Sequence, residues 1–309
     1  MDGETSDRLQ HSVAGEVSGS DGRGRLAAQA YRPSRIDVDA ALRNDWLEIW
    51  YQPKIDLRDK SLIGAEALAR IRHPQLGIFL PKAFLSAMSE ASHDHLTEHA
   101  LRAALRDWSL FDAAGFNLRL SINATVGALQ RLPIDALTAR DRPQAKHWPG
   151  VILEVTEAEI VRDLDAAQRL AAELRIEHLS ISVDDAGAHW AALSRYHGVG
   201  LAEFKLDVGV VKNCASDAAH AGVCQAVIDL AHGLGSTVVA EGIESGADLH
   251  ALEMMGCDFG QGVLIGPPMP VQGFLDLLQR QRGKPMLSAL PRELHAQPAP
   301  QLSGVDQIV

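Results

Sequence analysis

Ionisable and amide side chains stand at the ends of successive short apolar segments in the middle of this sequence. In the first such segment, SLIGAEAL (61–68), a carboxylate interrupts apolar residues, and a buried ionised carboxylate needs a neutralising partner. The residues that share this position are Glu66, Asn123, Glu154, Asp184, Asp185, Lys205, Asp207, Glu241 and Gln261. They are mainly oxygen donors, without Cys or His, and such donors suit Mg²⁺ or Mn²⁺ better than zinc.

The chemistry predicted for this set is metal-assisted hydrolysis of a phosphate ester. Carboxylates crowded at one place repel each other, and a cation relieves that repulsion. The set holds more carboxylates than one octahedral ion needs, which indicates two ions sharing a bridging Asp, and two-ion sites characteristically hydrolyse phosphate esters. Taken singly, Asp184 and Asp185 also suit a turn, and Glu154 and Glu157 also suit a capped helix start. The prediction therefore rests on the whole set.

The segments that carry these residues predict the fold. Eight strands are predicted at 47–57, 61–68, 117–123, 150–155, 179–185, 201–207, 236–241 and 258–266, and helices at 93–111, 163–175, 217–235 and 247–256. Buried strands alternating with amphipathic helices predict an α/β chain, and about eight strands match a TIM (β/α)8 barrel. The carboxyl ends of parallel barrel strands share one face, so we expect the polar residues to converge there.

The first two predicted strands depart from this regular pattern. Only the short connection RDK (58–60) joins them, and a crossover between parallel strands needs a dozen or more residues. We therefore expect this pair to be antiparallel.

Composition narrows the class of protein. Of 309 residues, 46% are apolar and 22% are charged, the mix of a soluble globular protein. A net charge of −11 argues against binding long nucleic acid or an anionic membrane surface. Cys214, Cys224 and Cys257 lack paired spacing and fit reduced thiols. We find no apolar run near ~18 residues and no signal-like N terminus, and expect a cytoplasmic protein without a membrane span.

Two segments have the composition of tails. Residues 1–34 are rich in Gly, Ser and charge, which predicts a disordered N-terminal tail. Residues 284–309 are punctuated by Pro and Gln, which predicts a flexible C-terminal tail. The folded domain is expected at 38–282.

The same residues carry a family resemblance. The motifs are YQPKIDL, GAEALARIRHPQLGIFLP, SINATVGAL, LEVTE, VDDAG, FKLD, VVAEGIES and GCDFGQGVLIGPPMP. In their order and spacing this chain resembles the EAL domain, a cyclic-di-GMP-specific phosphodiesterase, over about residues 38–282. The resemblance implies a modified TIM barrel with an antiparallel first strand. It also implies Mg²⁺- or Mn²⁺-dependent cleavage of cyclic di-GMP to linear pGpG, with two ions, in a homodimer.

The resemblance further implies roles for single residues. Glu66, Asn123, Glu154 and Asp184 would bind one cation, and Asp185 and Glu241 would complete a second site with Asp184 bridging. Lys205 would hold the attacking water, and Glu241 would serve as its general base. The residues implied to contact the nucleotide are Gln52, Arg70 and Gln261. Those implied to steady the active-site loop and its surroundings are Glu157, Asp207 and Glu244.

Three places differ from the family pattern. Ile71 stands where the family has Trp, and Val263 stands in place of Tyr in QGY. The segment DDAGAHWAAL (184–193) replaces a sequence close to DDFGxGYSSL, with changes at Ala186, His189, Trp190, Ala191 and Ala192. The complete ligand set favours an active phosphodiesterase, whereas the altered segment favours a second hypothesis. In that hypothesis the chain is a non-catalytic cyclic-di-GMP receptor that signals through a protein partner.

Histidines raise two further alternatives. His95, Glu98 and His99 have an order seen in some zinc peptidases, but they also suit an ordinary solvated helix start, which we favour. His189 could sense pH near the cations, although a surface loop histidine is the simpler interpretation. We expect Trp190 to pack at a loop base or subunit contact.

Overall fold

The computed structural model describes residues 38–186, 196 and 198–287. The strands in this part of the chain are β1 (Leu47–Asp56), β2 (Leu62–His73), β3 (Gly77–Phe79), β4 (Arg119–Asn123), β5 (Val151–Thr156), β6 (Leu179–Ala186), β7 (Glu203–Leu206), β8 (Thr237–Ala240), β9 (Phe259–Gly260) and β10 (Met269–Pro270). The helices there are α1 (Val38–Arg43), α2 (Glu90–Ala113), α3 (Val126–Arg131), α4 (Ile134–Asp141), α5 (Glu157–Arg162), α6 (Leu164–Ile176), α7 (Val208–Val211), α8 (Ala218–Gly233), α9 (Gly246–Met254) and α10 (Val271–Gln281).

Eight of these strands close into a barrel. The ring runs β1-β9-β8-β7-β6-β5-β4-β2 and closes through β1 and β2, while β3 and β10 pair on its outside. Pairing is parallel from β2 through β9, whereas β1 is antiparallel to both of its barrel neighbours. The predicted α/β fold, a modified TIM (β/α)8 barrel with an antiparallel first strand, is confirmed.

The short connection after β1 sets its direction. Five residues separate β1 from β2, and the two strands pair from Leu47 opposite Ile71 to Ile55 opposite Leu62. This register places Gln52 opposite Glu66. The first residues of β1 therefore lie beside the carboxyl end of β2, at the rim where the other barrel strands end.

Helices cover the outer faces of the strands. The longest, α2, begins where the Ser89 side chain accepts a hydrogen bond from the Ser92 backbone N–H, a typical N-cap. Its apolar face buries Leu101, Leu105 and Trp108 against the barrel. Burying one such side chain contributes about 1.5–3 kcal/mol. The strand ends are therefore held by a packed shell of helices.

One predicted strand is much shorter than expected. The segment 258–266 contributes only Phe259–Gly260 to the sheet. After Gln261 the backbone of Gly262 adopts φ +159°, and a Cβ there would lie 2.3 Å from the Ile243 backbone nitrogen. The chain turns at this glycine because the loop after β8 lies in its path.

Sequence reasoning did not predict two packed features near the C terminus, helix α10 and the buried Met286. Helix α10 buries Phe274 and Leu278, and the Phe274 ring contacts those of Tyr51 and Phe111. Met286, within the predicted tail 284–309, is also buried, and its N–H donates to the Lys60 carbonyl. Met286 and Leu287 thus pack against the core of the domain. Residues 1–37 and 288–309, which include the rest of both predicted tails, lie outside the described residues.

Candidate active site

The polar residues predicted at strand ends gather around the ammonium group of Lys205. This lysine on β7 is almost fully buried, and its Nζ lies 2.7 Å from Glu154 Oε2, 3.3 Å from Asp184 Oδ1 and 3.6 Å from Glu66 Oε2. It also pairs with Glu241. The four carboxylates come from β2, β5, β6 and the residue after β8. Their convergence at the carboxyl rim follows from the parallel barrel.

Two amides complete this cluster. Asn123 Nδ2 donates to Glu66 Oε1 at 2.8 Å, and Gln261 Nε2 donates to Glu66 Oε2 at 2.6 Å. Gln261 also donates to Glu241 Oε1 at 3.1 Å. Both oxygens of Glu66 are therefore satisfied, by a side chain of β4 and by one that directly follows β9. That network explains how an ionised carboxylate is tolerated inside the strand.

The ionisable groups of the cluster have pKa values that are shifted in different directions. Burial raises the pKa of Glu66, but the Lys205 charge and the two amide hydrogen bonds outweigh it and lower that pKa to about 2. Burial, together with the neighbouring Glu66 charge, raises the pKa of Glu154 well above its ordinary value. Burial also raises the pKa of Glu241 to about 7. Burial opposes the charge of Lys205, but the surrounding carboxylates raise its pKa well above the ordinary value.

The donor set fits a hard divalent cation. Glu154 Oε1 and Gln261 Oε1 are buried without a hydrogen-bond partner, and Asp184 Oδ1 has only its ion-pair contact with Lys205. Buried oxygens of this kind normally require a partner. In the described part of the chain, however, no three His, Cys, Asp or Glu side chains are already arranged around a metal position. The carboxylates are drawn toward the ammonium group instead.

Asp185 and Asp207 lie at the exposed side of the same rim. Asp185 has a left-handed backbone, φ +55°, and the β6–β7 register shifts between Val183 and Ala186. Burial and the charges of Asp184 and Asp207 raise the pKa of Asp185. Asp207 caps α7, since its Oδ1 accepts the Gly209 N–H at 2.7 Å. Both carboxyls thus lie next to the cluster, outside the contacts of Lys205 described above.

The two glutamates predicted to steady the loop differ in position. Glu157, the first residue of α5, is buried, and its Oε1 accepts a hydrogen bond from Tyr196 Oη at 3.1 Å. Glu244 is half exposed, and its Oε2 lies 3.1 Å from Lys212 Nζ. Glu157 therefore has a neighbour in the segment after β6, whereas Glu244 belongs to a surface ion pair.

Two of the three residues predicted to contact a nucleotide, Gln52 and Arg70, line the β1–β2 side of the rim. Gln52 Nε2 donates to the Gly266 carbonyl at 3.2 Å. Arg70 is buried, its Nη1 donates to the Ala69 carbonyl, and its Nε has no hydrogen-bond partner. The Arg70 guanidinium carbon lies 5.7 Å from the centre of the Trp50 ring, within cation–π distance. Sequence reasoning missed Trp50, although it precedes Gln52 by two residues and so shares its strand face.

A second buried lysine lies deeper in the barrel. Lys54 Nζ contacts Glu203 Oε1 at 2.9 Å, and both side chains are almost fully buried. Ser182 Oγ lies 3.5 Å from the same oxygen. Barrel interiors are usually filled by Val, Ile and Leu. Sequence reasoning missed this pair because both residues stand within apolar runs. The Lys of YQPK, inside a predicted buried strand, could have indicated it.

The remaining sequence predictions have separate outcomes. Glu98 pairs with Arg102 at 2.6 Å, and no zinc-type cluster forms with His95 and His99 among the described residues.

Ile71 is fully buried against Val38, Ala41, Leu47 and Phe84. Ala186 is buried and Val263 is exposed. His189, Trp190, Ala191 and Ala192 lie outside the described residues. No helix among the described residues is long and apolar enough to cross a membrane.

Comparison with known proteins assigns the barrel to a family. Residues 36–268 match the family model described as the EAL domain. The chain belongs to the EAL domain family. A cyclic di-GMP phosphodiesterase of Pseudomonas aeruginosa is 34% identical over 232 residues, which cover 74% of this chain and 40% of that protein. The cyclic di-GMP phosphodiesterase RocR of the same organism is 32% identical, over 79% of this chain and 63% of its own length.

Solved EAL structures share the fold. The PaMucR phosphodiesterase in complex with c-di-GMP superposes with a TM-score of 0.70 at 30% identity, covering 77% of this chain and 98% of that one. The chain thus spans less than two thirds of the two curated relatives but nearly all of this solved EAL chain. The likeness is therefore to the EAL domain and not to the whole of the longer proteins.

Proposed function

We propose that this chain hydrolyses one phosphodiester bond of cyclic di-GMP and releases linear pGpG. The observation that carries the proposal is the position of the Lys205 ammonium among Glu66, Glu154, Asp184 and Glu241 at the carboxyl rim. An excess of carboxylates over ammonium at this rim suits a reaction on an anionic ester only with added cations. The names of the EAL relatives support the same substrate.

The cations that fit are Mg²⁺ or Mn²⁺, two in number. Glu66, Asn123, Glu154 and Asp184 would hold the first, and Asp185 and Glu241 would hold the second together with Asp184. Their all-oxygen donor set and the unpaired oxygen of Glu154 support this assignment. When bound, the cations supply positive charge beside the phosphodiester and make water a stronger nucleophile at neutral pH.

The chain's own residues position the reactants. Lys205 remains charged and donates hydrogen bonds, so it holds the attacking water and offsets negative charge on the phosphate. A carboxyl such as Glu241, with a pKa near 7, suits proton transfer from that water. Gln52 and Gln261 would contact the nucleotide, and the planar guanidinium of Arg70 would bind phosphate or guanine.

The deciding experiment is a product assay. The protein is incubated with cyclic di-GMP and Mn²⁺, and pGpG is quantified by chromatography; Glu66→Ala is run as the matched inactive variant. We expect pGpG from the native chain and none above background from the variant. Absence of pGpG from the native chain, at saturating substrate and cation, would contradict the proposed hydrolysis.

A receptor is the second candidate function. One observation favours it, the altered segment 184–193. A receptor would bind cyclic di-GMP tightly without forming pGpG and would pass the signal to a protein partner. Under either function we place the chain in the cytoplasm, where its three free thiols remain reduced, and as a homodimer.

A further inference from the structure

We infer that Tyr196 is a positioning residue for the divalent-cation site. It acts through Glu157, and together they fix the carboxyl end of β6, which carries Asp184 and Asp185. This inference rests on the proposed function, because it concerns the cation site of that reaction. The segment after β6 is the part of the chain in which the sequence departs most from the family pattern, and Tyr196 follows that segment.

Tyr196 contacts two elements that flank β6, the start of α5 and strand β7. Its Oη donates to Glu157 Oε1 at 3.1 Å, and Glu157 follows β5, the strand that carries Glu154. Its ring meets the Phe204 ring edge-on, with centroids 5.8 Å apart, and Phe204 precedes Lys205 on β7. Tyr196 is almost fully buried. It therefore connects the elements on either side of β6 at the level of the site.

The end of β6 needs such support. Thr156 pairs with Asp184, but the pairing with β7 is interrupted between Val183 and Ala186. Within this interruption Asp185 adopts the left-handed conformation, φ +55°. A non-glycine residue in that region costs about 1–3 kcal/mol and persists only where the surrounding structure holds it. The regular ladder cannot do so on the β7 side, because its register is broken there.

The hydrogen bond is well suited to hold this geometry. Both partners are buried, so water does not compete with this bond. Burial and the negative charge of Glu157 raise the pKa of Tyr196, so the hydroxyl stays protonated and remains the donor. The bond thus ties the start of α5, directly after Thr156, to Tyr196.

A matched control exists in the same chain. Tyr51 Oη donates to Asp107 Oδ2 at 2.7 Å, and Tyr51 is fully buried. Its ring packs on Phe111 and Phe274, between the barrel and the outer helices. Tyr51→Phe therefore removes the same atom, from the same kind of buried tyrosine–carboxylate bond, without a contact to Glu157 or β6.

The experiment compares Mn²⁺ binding to native protein, Tyr196→Phe and Tyr51→Phe in the absence of nucleotide. Free Mn²⁺ is counted by electron paramagnetic resonance, and the melting temperature is measured in parallel. We expect both variants to melt at lower temperature. Only Tyr196→Phe is expected to weaken Mn²⁺ binding, by about 3- to 10-fold, the effect of losing one buried hydrogen bond. Tyr51→Phe should stay within about twofold of the native protein.

The outcomes are distinguishable. If Tyr196→Phe binds Mn²⁺ as tightly as Tyr51→Phe does, Tyr196 is only a packing residue and the inference is overturned. If the native protein binds no Mn²⁺, the proposed metal-dependent function fails and the inference fails with it. A Glu157→Ala background sharpens the test, because there Tyr196→Phe should cause no further loss of Mn²⁺ affinity; an additional loss would show that Tyr196 does not act through Glu157.

Discussion

Two buried lysines in the described barrel interior differ in how many carboxylates they contact. Lys54 meets one carboxylate, Glu203, at 2.9 Å. Lys205, nearer the carboxyl rim, contacts four, those of Glu66, Glu154, Asp184 and Glu241. The deeper pair is balanced, whereas the upper cluster has more negative charge than its ammonium neutralises.

This difference separates a structural pair from a reactive site. A balanced buried pair is costly to break, because the remaining charge has no partner, but it offers nothing to a ligand. An excess of carboxylates has the opposite property, because a bound cation relieves the repulsion between them and stabilises the folded state. A buried lysine therefore stabilises the barrel at Lys54, whereas at Lys205 the surrounding negative charge is only partly neutralised.

The largest effect is expected from breaking the deeper pair. Lys54→Met removes the ammonium that contacts buried Glu203 and leaves only the more distant Arg119 charge beside it, so the free energy of unfolding should fall by about 3–5 kcal/mol in urea titrations. The double variant Lys54→Met/Glu203→Met removes both charges and should recover most of this loss. A double variant as unstable as the single one would show that the two residues are not a balanced pair.

The upper lysine should affect turnover more than folding. Lys205→Met removes the donor that holds the attacking water, so pGpG formation at saturating Mn²⁺ should fall by about 10²- to 10³-fold. With Mn²⁺ present, the melting temperature should change little, because the cations neutralise the carboxylates. Retention of native turnover in Lys205→Met would remove the distinction drawn between the two lysines.

Stability should depend on pH through the upper cluster. In the folded chain burial raises the pKa of Glu241 from 4.5 to about 7, so without divalent cation the folded state binds more protons than the unfolded chain between these values. Stability should therefore fall as pH rises from about 4.5 to 7. Melting temperatures at pH 5 and pH 7.5 test this; added Mg²⁺, or Glu241→Gln, should reduce the difference. An equal difference in Glu241→Gln would assign it to other groups.

The smallest effect is expected at the edge of the cluster. Trp50→Leu removes the ring beside Arg70, and a cation–π contact contributes about 0.5–1 kcal/mol, so cyclic di-GMP affinity should weaken about 2- to 5-fold. Trp46→Leu is the control, because the Trp46 ring contacts His73 instead. Calorimetric titration with Ca²⁺ in place of Mg²⁺ measures the binding. Equal weakening in both variants would show a general effect of losing an indole ring.

The sequence predicted the parts of the structure that depend on periodicity. Strands such as β5 and β6 are continuous apolar runs, and the carboxylates at their ends converge because parallel strands share one rim. The direction of β1 followed from a connection too short for a crossover. Of the side chains that these rules place at the rim, the cluster around Lys205 contains Glu66, Asn123, Glu154, Asp184, Glu241 and Gln261, whereas Asp185 and Asp207 lie beside it.

The parts that escaped prediction depend on contacts between distant residues. The bond between Tyr196 and Glu157 joins residues 39 positions apart, and that between Lys54 and Glu203 joins residues 149 apart. Neither separation leaves a local pattern. The early end of β9 at Gly260 depends on the approach of the Ile243 backbone, which the apolar run 258–266 does not reveal. Such tertiary contacts override local propensity.

The reversed direction of β1 also determines where the polypeptide enters the barrel. Helix α1 precedes that strand and packs through Val38 and Ala41 against Leu47, Ile71 and Phe84, and Ile71 directly follows Arg70. In a regular (β/α)8 barrel the first strand starts at the opposite rim, a full barrel height from the reacting groups. Here one inverted strand places α1 against Ile71, the residue after Arg70, so a displacement of α1 would act on the strand segment that carries the Arg70 guanidinium.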